Sequence, residues 1–247
     1  EIAQCLVGSE MCIRDSPKII HYCWLSNDPI PKDLKKYMKS WKEKLYDYEF
    51  ILWDLNRFDL NRSLWVKQAF EAKKYAFAAD YIRLYAVYNY GGIYMDMDVE
   101  VIKSFNDLLR NDYILGYEAA KGLEAGVFGA PKKAPWVKEV LEYYTSKEFA
   151  LPNGLYNDTP LPIIMDEVLN ADYITNKKIV PLPTDFLTAK SYKTGKITIT
   201  PNTYTIHHFA GSWKSWDEKM KIIIARIIGT KLTHILGNAR RCIIGKK

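Results

Sequence analysis

Two aspartates, Asp96 and Asp98, form a D-x-D pattern directly after a short apolar run. In an extended chain, side chains two residues apart face the same way, so both carboxylates can converge on one cation. A hard divalent ion such as Mn²⁺ or Mg²⁺ accepts oxygen ligands and keeps coordination positions open for phosphates. Without a cation or a basic group between them, the two charges would repel. The pattern therefore indicates a metal site, although a solvated turn with two acidic residues fits the same spacing.

The segment before these aspartates predicts a helix with a second pair of charged residues. Apolar residues recur there at helical spacing and define one face: Ala79, Ile82, Ala86 and Val87. Asp80 and Arg83, three positions apart, can point together from a neighbouring strip of the same helix. The helix is expected to end at Gly91 and Gly92, because glycine readily takes the left-handed conformation that ends a helix.

Two adjacent histidines are candidates for a nitrogen ligand to the same cation. Residues 197–206 alternate Ile with Thr over much of their length and predict a late strand that leads to His207 and His208. Mn²⁺ accepts imidazole as well as oxygen, so a histidine at a strand end near the aspartates can complete the site. Either histidine can take this role, and we favour His208. A surface histidine with no ligand role fits each of them equally well.

Two further motifs frame this central segment. Residues 17–24 read PKIIHYCW and end at Trp24, and residues 207–213 read HHFAGSW and end at Ser212 and Trp213. With the D-x-x-R helix, the G-G-I-Y run and the D-x-D pattern between them, they resemble glycosyltransferase family 32. More distantly, they are similar to clostridial glucosylating toxins and yeast initiating mannosyltransferases. The residues that carry the central match are Asp80, Arg83, Gly91, Gly92, Tyr94, Asp96 and Asp98.

This resemblance implies a GT-A fold, which is Rossmann-like, and a retaining hexosyltransferase activity. The implied cofactor is Mn²⁺ or Mg²⁺, and the implied donor is a nucleotide sugar, expected to be a UDP-hexose. The implied acceptor is a glycan or a lipid-linked glycan in surface polysaccharide synthesis. Which sugar moves, whether the nucleotide is UDP or GDP, and what receives the sugar depend on pocket details that the motifs do not specify.

The resemblance also implies roles for individual residues. Asp98 would bind the metal directly, and Asp96 would bridge metal, ribose and donor sugar. Asp80 and Arg83 would hold sugar hydroxyls, and Arg83 could also steady phosphate charge. The remaining donor contacts would come from Trp24, stacked on the base, Tyr94, Asn157, Asp158, Ser212 and Trp213. Trp24 also fits a plain core position, and Asn157 and Asp158 also fit a loop before a helix.

Strands and helices are predicted to alternate along the chain. Apolar runs predict strands at residues 18–24, 49–53, 93–95, 113–117 and 126–130. Helical spacing predicts helices at residues 31–45, 135–147 and 163–169, and two more within 63–90. This alternation predicts an α/β fold with a mainly parallel central sheet flanked by helices.

Composition describes one ordinary globular domain, since the 247 residues are 48% hydrophobic and 26% charged. We expect a glycosyltransferase domain over residues 17–213. Residues 1–16 match no part of the family and are expected to be an artefact or a disordered leader. The chain has four cysteines without paired spacing, which favours a reducing compartment. Neither a membrane-spanning run nor a signal peptide is evident, so we expect a cytoplasmic protein.

Residues 214–247 hold nine Lys and Arg against two acidic residues, so the net charge of +6 belongs to this tail. Its apolar residues recur at helical spacing and predict a basic amphipathic helix. Such a helix can lie on the anionic inner face of a membrane, although a helix that packs on the core fits equally. We expect no nucleic-acid partner.

Two other classes of protein compete with this interpretation. A phosphohydrolase of the haloacid dehalogenase type also places D-x-D at a strand end, but Thr or Val normally stands where this chain has Glu100. A carbohydrate-binding protein without catalysis is suggested by the 14% aromatic residues, but it needs no metal-binding pair. Turnover of nucleotide sugars distinguishes these classes from a glycosyltransferase.

Overall fold

The computed structural model describes residues 16–118, 122–177, 179–211 and residue 220. In chain order, its elements are β1 Ile19–Cys23, α1 Lys32–Lys44, β2 Glu49–Trp53, a 3₁₀ turn at Leu60–Arg62, α2 Leu64–Glu71, α3 Tyr75–Tyr90, β3 Gly92–Met95, β4 Val99–Val101, β5 Val127–Ala130, α4 Pro135–Glu142, α5 Leu161–Val168, α6 Ala171–Asn176, α7 Thr184–Leu187 and β6 Thr205–His207. The leader, Ser212 and Trp213 lie outside the described residues, apart from Ser16. So does the predicted C-terminal helix, except for residue 220.

The central sheet has the strand order β2-β1-β3-β5. β1 pairs in parallel with both β2 and β3, and β5 is antiparallel to β3. A separate two-stranded antiparallel sheet joins β4 to β6. The predicted α/β class with a mainly parallel sheet is therefore confirmed.

Apolar clusters cover both faces of the central sheet. On one face, α3 packs with α2 and α4, and Trp53 of β2 meets the rings of Tyr85 and Tyr90. On the other face, α1 places Trp41 against Tyr22 and Phe50. Helix α1 also reaches the second sheet, because the indole Nε1 of Trp41 donates to the carbonyl of Val99 at 2.7 Å. The second sheet is thus tied to the first through α1.

The glycine pair between α3 and β3 makes the turn that delivers the aspartates. Both glycines have positive φ, +72° at Gly91 and +93° at Gly92. A Cβ at Gly92 would lie 2.6 Å from the carbonyl oxygen of Ile19 in the neighbouring strand. Only glycine therefore allows the helix to end and β3 to pair closely with β1 at this point.

Several predicted elements differ from the structure. Residues 113–117 form isolated bridges rather than a strand, and only Thr205–His207 of the predicted late strand is regular. The helix predicted to reach residue 147 ends at Glu142 and continues as turns. Residues 113–117 make single bridges to three separate positions, Leu123, Gly129 and Leu182, and residues 197–202 are largely exposed. A local apolar or alternating pattern does not specify such pairings.

Candidate active site

Asp96 and Asp98 lie in a tight turn at the end of β3. The N–H of Val99 donates to the carbonyl of Asp96 at 3.1 Å, which closes a four-residue turn. The N–H of Asp96 donates to the carbonyl of Gly126, beside β5, at 2.7 Å. The expectation of an extended chain at the D-x-D pattern is therefore wrong. The carboxylates converge because the backbone turns, not because of strand alternation.

Pairing of β4 with β6 brings a histidine to these carboxylates. Val99 lies directly opposite His207 in the register. The Nε2 atom of His207 is consequently 3.4 Å from Asp98 Oδ1 and 4.0 Å from Asp96 Oδ2. The second oxygen of Asp98 accepts the N–H of Ala210 at 2.6 Å, so the segment after β6 also holds this carboxylate in place.

The structure reverses our preference for His208 as the nitrogen ligand. Successive side chains of a strand point to opposite sides, and only His207 faces the aspartates. His208 instead places Nε2 2.8 Å from Glu100 Oε2 and stacks on the Tyr37 ring with centroids 4.1 Å apart. Burial lowers the pKa of His208, and the hydrogen bond to Glu100 opposes this shift.

Arg83 joins the helix pair to the D-x-D turn. Its Nη2 atom lies 3.1 Å from Asp80 Oδ1 and 3.4 Å from Asp96 Oδ1, and Nη1 donates to the carbonyl of Ala125 at 2.8 Å. Only 8% of the side chain is exposed. The guanidinium therefore faces protein oxygens, and its contact with sugar hydroxyls or phosphate stays a prediction.

Tyr94 lies behind the site rather than in it. Its ring is buried in the sheet beneath the Arg83 guanidinium, 4.7 Å from the ring centroid. Its hydroxyl donates to Asp96 Oδ1 at 2.9 Å. Tyr94 is 2% exposed and its hydroxyl is directed at Asp96, so a direct contact with the donor stays a prediction.

Glu124 belongs to none of the predicted motifs, and it is the most buried acid of the cluster at 1% exposure. Its Oε1 atom lies 3.1 Å from Nδ1 of His207, on the opposite side of the ring from Asp98. The available signal was an isolated acidic residue in the otherwise apolar run LEAGVFGA, which ends with β5. An acidic residue in such a run must be paired when it is buried.

Charges in the cluster shift one another's protonation. Burial raises the pKa of Asp80 to about 6, against the opposing effect of Arg83. Burial also raises the pKa of Asp96. The pKa of Asp98 falls to about 2, because the charge of His207 and its hydrogen bond outweigh burial. Burial alone would lower the pKa of His207, but Glu124 and Asp98 raise it well above 6.5.

The other predicted donor contacts are spread over two regions. Trp24 follows β1, is half-buried, and donates its Nε1–H to the carbonyl of Asp28 at 2.8 Å. Asn157 is half-buried and Asp158 is exposed. Neither joins the hydrogen bonds and ion pairs of the acidic cluster among the residues that the structure describes. Their roles in binding the donor stay predictions.

A cleft opens at the carboxyl ends of β1 and β2, where nucleotides bind in parallel α/β sheets. Its volume is ≈ 570 Å³. It is lined by Tyr22, Phe50, Leu52, Asp54, Asn56 and Arg57. Three of these residues belong to the loop after β2, so this loop is accessible to a ligand.

The donor set of the cluster fits a divalent cation. Asp96, Asp98 and His207 can each offer one ligand atom, and these atoms lie within 4.8 Å of one another. Two carboxylate oxygens and one imidazole nitrogen suit Mn²⁺ better than Mg²⁺, because Mg²⁺ prefers oxygen alone. Arg83 and His207 are the basic side chains that contact the acidic residues in this part of the described structure, and together they can compensate for two of the four carboxylates, Asp80, Asp96, Asp98 and Glu124.

Residues 31–115 match the family model described as "Glycosyltransferase sugar-binding region containing DXD motif". The match includes α1, the D-x-x-R helix, the glycine pair and both aspartates. Within this segment the chain is similar to the DXD-containing glycosyltransferase family. The family resemblance inferred from the motifs is thus confirmed. The D-x-D pattern was the basis of the phosphohydrolase alternative, and it lies within the region that matches the glycosyltransferase model.

Curated relatives of this DXD-containing family carry mannosyltransferase names. "Inositol phosphoceramide mannosyltransferase 3" of Schizosaccharomyces pombe is 30% identical over 51% of this chain and 36% of its own length. "Inositol phosphoceramide mannosyltransferase 1" of the same organism is 25% identical over 85% of this chain and 66% of its own length. "Initiation-specific alpha-1,6-mannosyltransferase" of Candida albicans is 27% identical over 49% of this chain and 34% of its length. The chain thus spans about a third to two thirds of these relatives.

Among solved structures, "PaToxG Glycosyltransferase" aligns with 66% of this chain and 74% of its own. The identity is 16% and the TM-score is 0.47. The α/β class is therefore assigned from the sheet described above and not from this likeness. The described part of the chain contains no helix with the length and apolar character needed to cross a membrane.

Proposed function

We propose that this protein is a metal-dependent glycosyltransferase that moves a hexose from a nucleotide sugar to a glycan or lipid-linked acceptor. The observation that carries this proposal is the convergence of His207 on Asp96 and Asp98, two residues of the segment that matches the DXD-containing family model. Asp98 and His207 would bind the cation, and Asp96 would reach both the cation and the donor. A bound Mn²⁺ would act as a Lewis acid toward the charge on the departing nucleotide diphosphate.

The chain's own residues prepare this site before any donor arrives. Tyr94 and Arg83 both contact Oδ1 of Asp96, so its other oxygen is left facing His207. Arg83 also holds Asp80 in place from the same helix. Preorganised side chains lose little freedom when a ligand binds, which favours the transition state over the free reactants. Asp80 and Asp96 are therefore the residues we propose for orienting the donor sugar.

The donor follows from two different observations. Trp24 and the adjoining cleft support a nucleotide whose base stacks on an aromatic ring, and the family resemblance made that nucleotide UDP. The mannosyltransferase names of the relatives support mannose as the transferred hexose, which makes GDP-mannose a second candidate donor. We therefore propose a nucleotide hexose, with UDP-hexoses and GDP-mannose as the first donors to test.

The acceptor we propose is a glycan or a lipid-linked glycan. Relatives named for inositol phosphoceramide support a lipid-linked acceptor, since that substrate is itself a lipid. A retaining reaction, a role in surface polysaccharide synthesis and a location on the inner face of the membrane remain parts of the proposal.

Release of nucleotide from each donor, with and without Mn²⁺, tests the proposal directly. We expect release from at least one nucleotide hexose in Mn²⁺ and loss of that release in EDTA. Asp98→Asn should reduce turnover by at least about 100-fold, because the substitution removes a charged ligand. Asp112→Asn alters an exposed aspartate that makes no described hydrogen bond or ion pair with the cluster and is the matched control.

Either of two results would contradict the proposal. Donor turnover unchanged by Asp98→Asn would remove the D-x-D pair from catalysis. Donor binding without turnover, with every donor and Mn²⁺ supplied and glycan and lipid acceptors present, would favour the non-catalytic carbohydrate-binding alternative.

A further inference from the structure

We propose that Glu124 is a positioning residue that holds His207 with its Nε2 lone pair directed at the cation site. This inference rests on the proposed function only in requiring that Asp96 and Asp98 share a cation. Glu124 lies 28 positions after Asp96 and outside the segment that matches the family model. It would not contact substrate or cation, and it would act only through the imidazole.

Every described contact of the Glu124 carboxylate is with a hydrogen-bond donor. Oε1 accepts the N–H of Gly126 at 2.5 Å, and Oε2 accepts the hydroxyl of Thr188. Oε1 also lies 3.1 Å from Nδ1 of His207. A carboxylate can only accept in these contacts, so Nδ1 must carry its hydrogen. In the neutral ring, the hydrogen on Nδ1 leaves Nε2 as the free acceptor.

The free nitrogen then faces oxygen atoms rather than donors. Nε2 of His207 lies 3.4 Å from Asp98 Oδ1 and 4.0 Å from Asp96 Oδ2. A lone pair opposite two carboxylates is repelled unless a cation lies between them. Histidines that ligate metals usually donate their other N–H to a carboxylate or carbonyl, which matches the Glu124 contact. A protonated His207 bridging Glu124 and Asp98 would satisfy the same distances without a metal, so the experiment must separate the two states.

Gly126 makes the contact possible. A Cβ at this position would lie 2.5 Å from Cε1 of His207 and 2.9 Å from Oε1 of Glu124. Because Gly126 has no side chain, the His207 imidazole and the Glu124 carboxylate can occupy this space and contact each other. The same residue donates its N–H to Glu124, and its carbonyl accepts the N–H of Asp96, so it links both sides of the site.

Mn²⁺ binding to the full chain, followed by electron paramagnetic resonance, tests this role without any donor or turnover. Glu124→Gln keeps the shape of the side chain but removes its charge. We expect its Mn²⁺ affinity to fall by about 10- to 100-fold, the range seen when such outer contacts of metal ligands are removed. Thr188→Val is the matched control, because it removes a donor to the other oxygen and leaves the His207 contact in place.

A second measurement reports on the imidazole itself. Electron spin echo modulation of bound Mn²⁺ detects a coordinated imidazole nitrogen, and we expect it in the unchanged protein and in Thr188→Val. It should be weakened or lost in Glu124→Gln at saturating Mn²⁺. Thermal unfolding in EDTA shows whether Glu124→Gln folds. If it does not, Glu124→Asp is the second variant, because it retains the charge but withdraws the carboxylate from Nδ1. It should show the same loss of nitrogen modulation.

The outcomes separate this inference from the proposed function. Equal Mn²⁺ affinity and equal nitrogen modulation in Glu124→Gln would overturn the positioning role and leave the metal-dependent enzyme intact. Mn²⁺ binding by the unchanged protein without any nitrogen modulation would also overturn it, since His207 would then be an ion-pair partner only. No Mn²⁺ binding by the unchanged protein would overturn both proposals.

Discussion

The Nε2 atom of His21 lies 2.8 Å from the carbonyl oxygen of Gly91, although the two residues are 70 positions apart. His21 belongs to the PKIIHYCW strand, and Gly91 begins the turn that leads to the aspartates. The Nδ1 atom of His21 accepts the indole N–H of Trp53 at 3.1 Å, so Nε2 carries the hydrogen and donates to Gly91. The hydrogen bond therefore joins two of the sequence motifs physically and requires a neutral ring.

Acid should destabilise the protein through His21. Burial lowers its pKa to about 4 from the ordinary 6.5, so between these values the unfolded chain binds a proton that the folded chain excludes. Its contribution is full above pH 6.5 and is lost as pH falls, at up to about 1.4 kcal/mol per pH unit for one group. Urea unfolding from pH 7 to pH 4 should show a steeper loss in the unchanged protein than in His21→Gln. Parallel losses in the two proteins would contradict this assignment.

Gly92→Ala should destabilise the fold by more than its backbone angle explains. Gly154 provides the control, because its φ of +78° is also positive but a Cβ there meets nothing within 4 Å. We expect Gly154→Ala to lower the free energy of unfolding by about 1–2 kcal/mol, the ordinary cost of left-handed backbone. Gly92→Ala should cost about 3 kcal/mol or more, because the clash with the Ile19 carbonyl adds to that strain. Equal losses of unfolding free energy in Gly92→Ala and Gly154→Ala would contradict this prediction, because β1 and β3 would then accommodate the added Cβ without cost.

Substitution of the two adjacent histidines should have unequal effects on metal binding. His207→Gln should weaken Mn²⁺ binding by more than about tenfold, or about 1.4 kcal/mol. His208→Gln should leave the Mn²⁺ affinity nearly unchanged, because that ring contacts Glu100 and Tyr37. Titration by electron paramagnetic resonance measures both. A larger effect from His208→Gln would restore the preference drawn from the sequence.

Arg83→Lys should impair the site although the charge is kept. The guanidinium reaches Asp80, Asp96 and the carbonyl of Ala125 at once, and a single ammonium cannot span the three. We expect the free energy of unfolding to fall by about 2 kcal/mol, with a large loss of nucleotide release. Arg110→Lys, on an exposed residue, is the control and should change neither. Full turnover in Arg83→Lys would show that Asp80 and Asp96 do not need the planar guanidinium to hold them in place.

Sequence patterns predicted the elements whose signals are local. The apolar run at β2 and the helical spacing of α3 have periodicities that burial on one face requires, and the glycine pair marks the end of α3. Asp80, Arg83, Asp96 and Asp98 could be selected because their spacing within one short segment is itself the signal. These features depend on neighbours in the chain, so the sequence alone determined them.

Tertiary structure decided how the site is completed. His207 and His208 are equivalent in sequence, and only the register of β4 against β6 turns one of them toward the aspartates. Glu124 differs locally only in being an isolated acidic residue in an apolar run, and Gly126 has no distinguishing pattern. Both become important because β5 pairs with β3 and brings them beside the turn. Strand pairing joins residues that are distant in the chain. A shift of one residue in the register would turn every side chain of the strand to the opposite face. No local sequence pattern therefore specifies which side chains face the site.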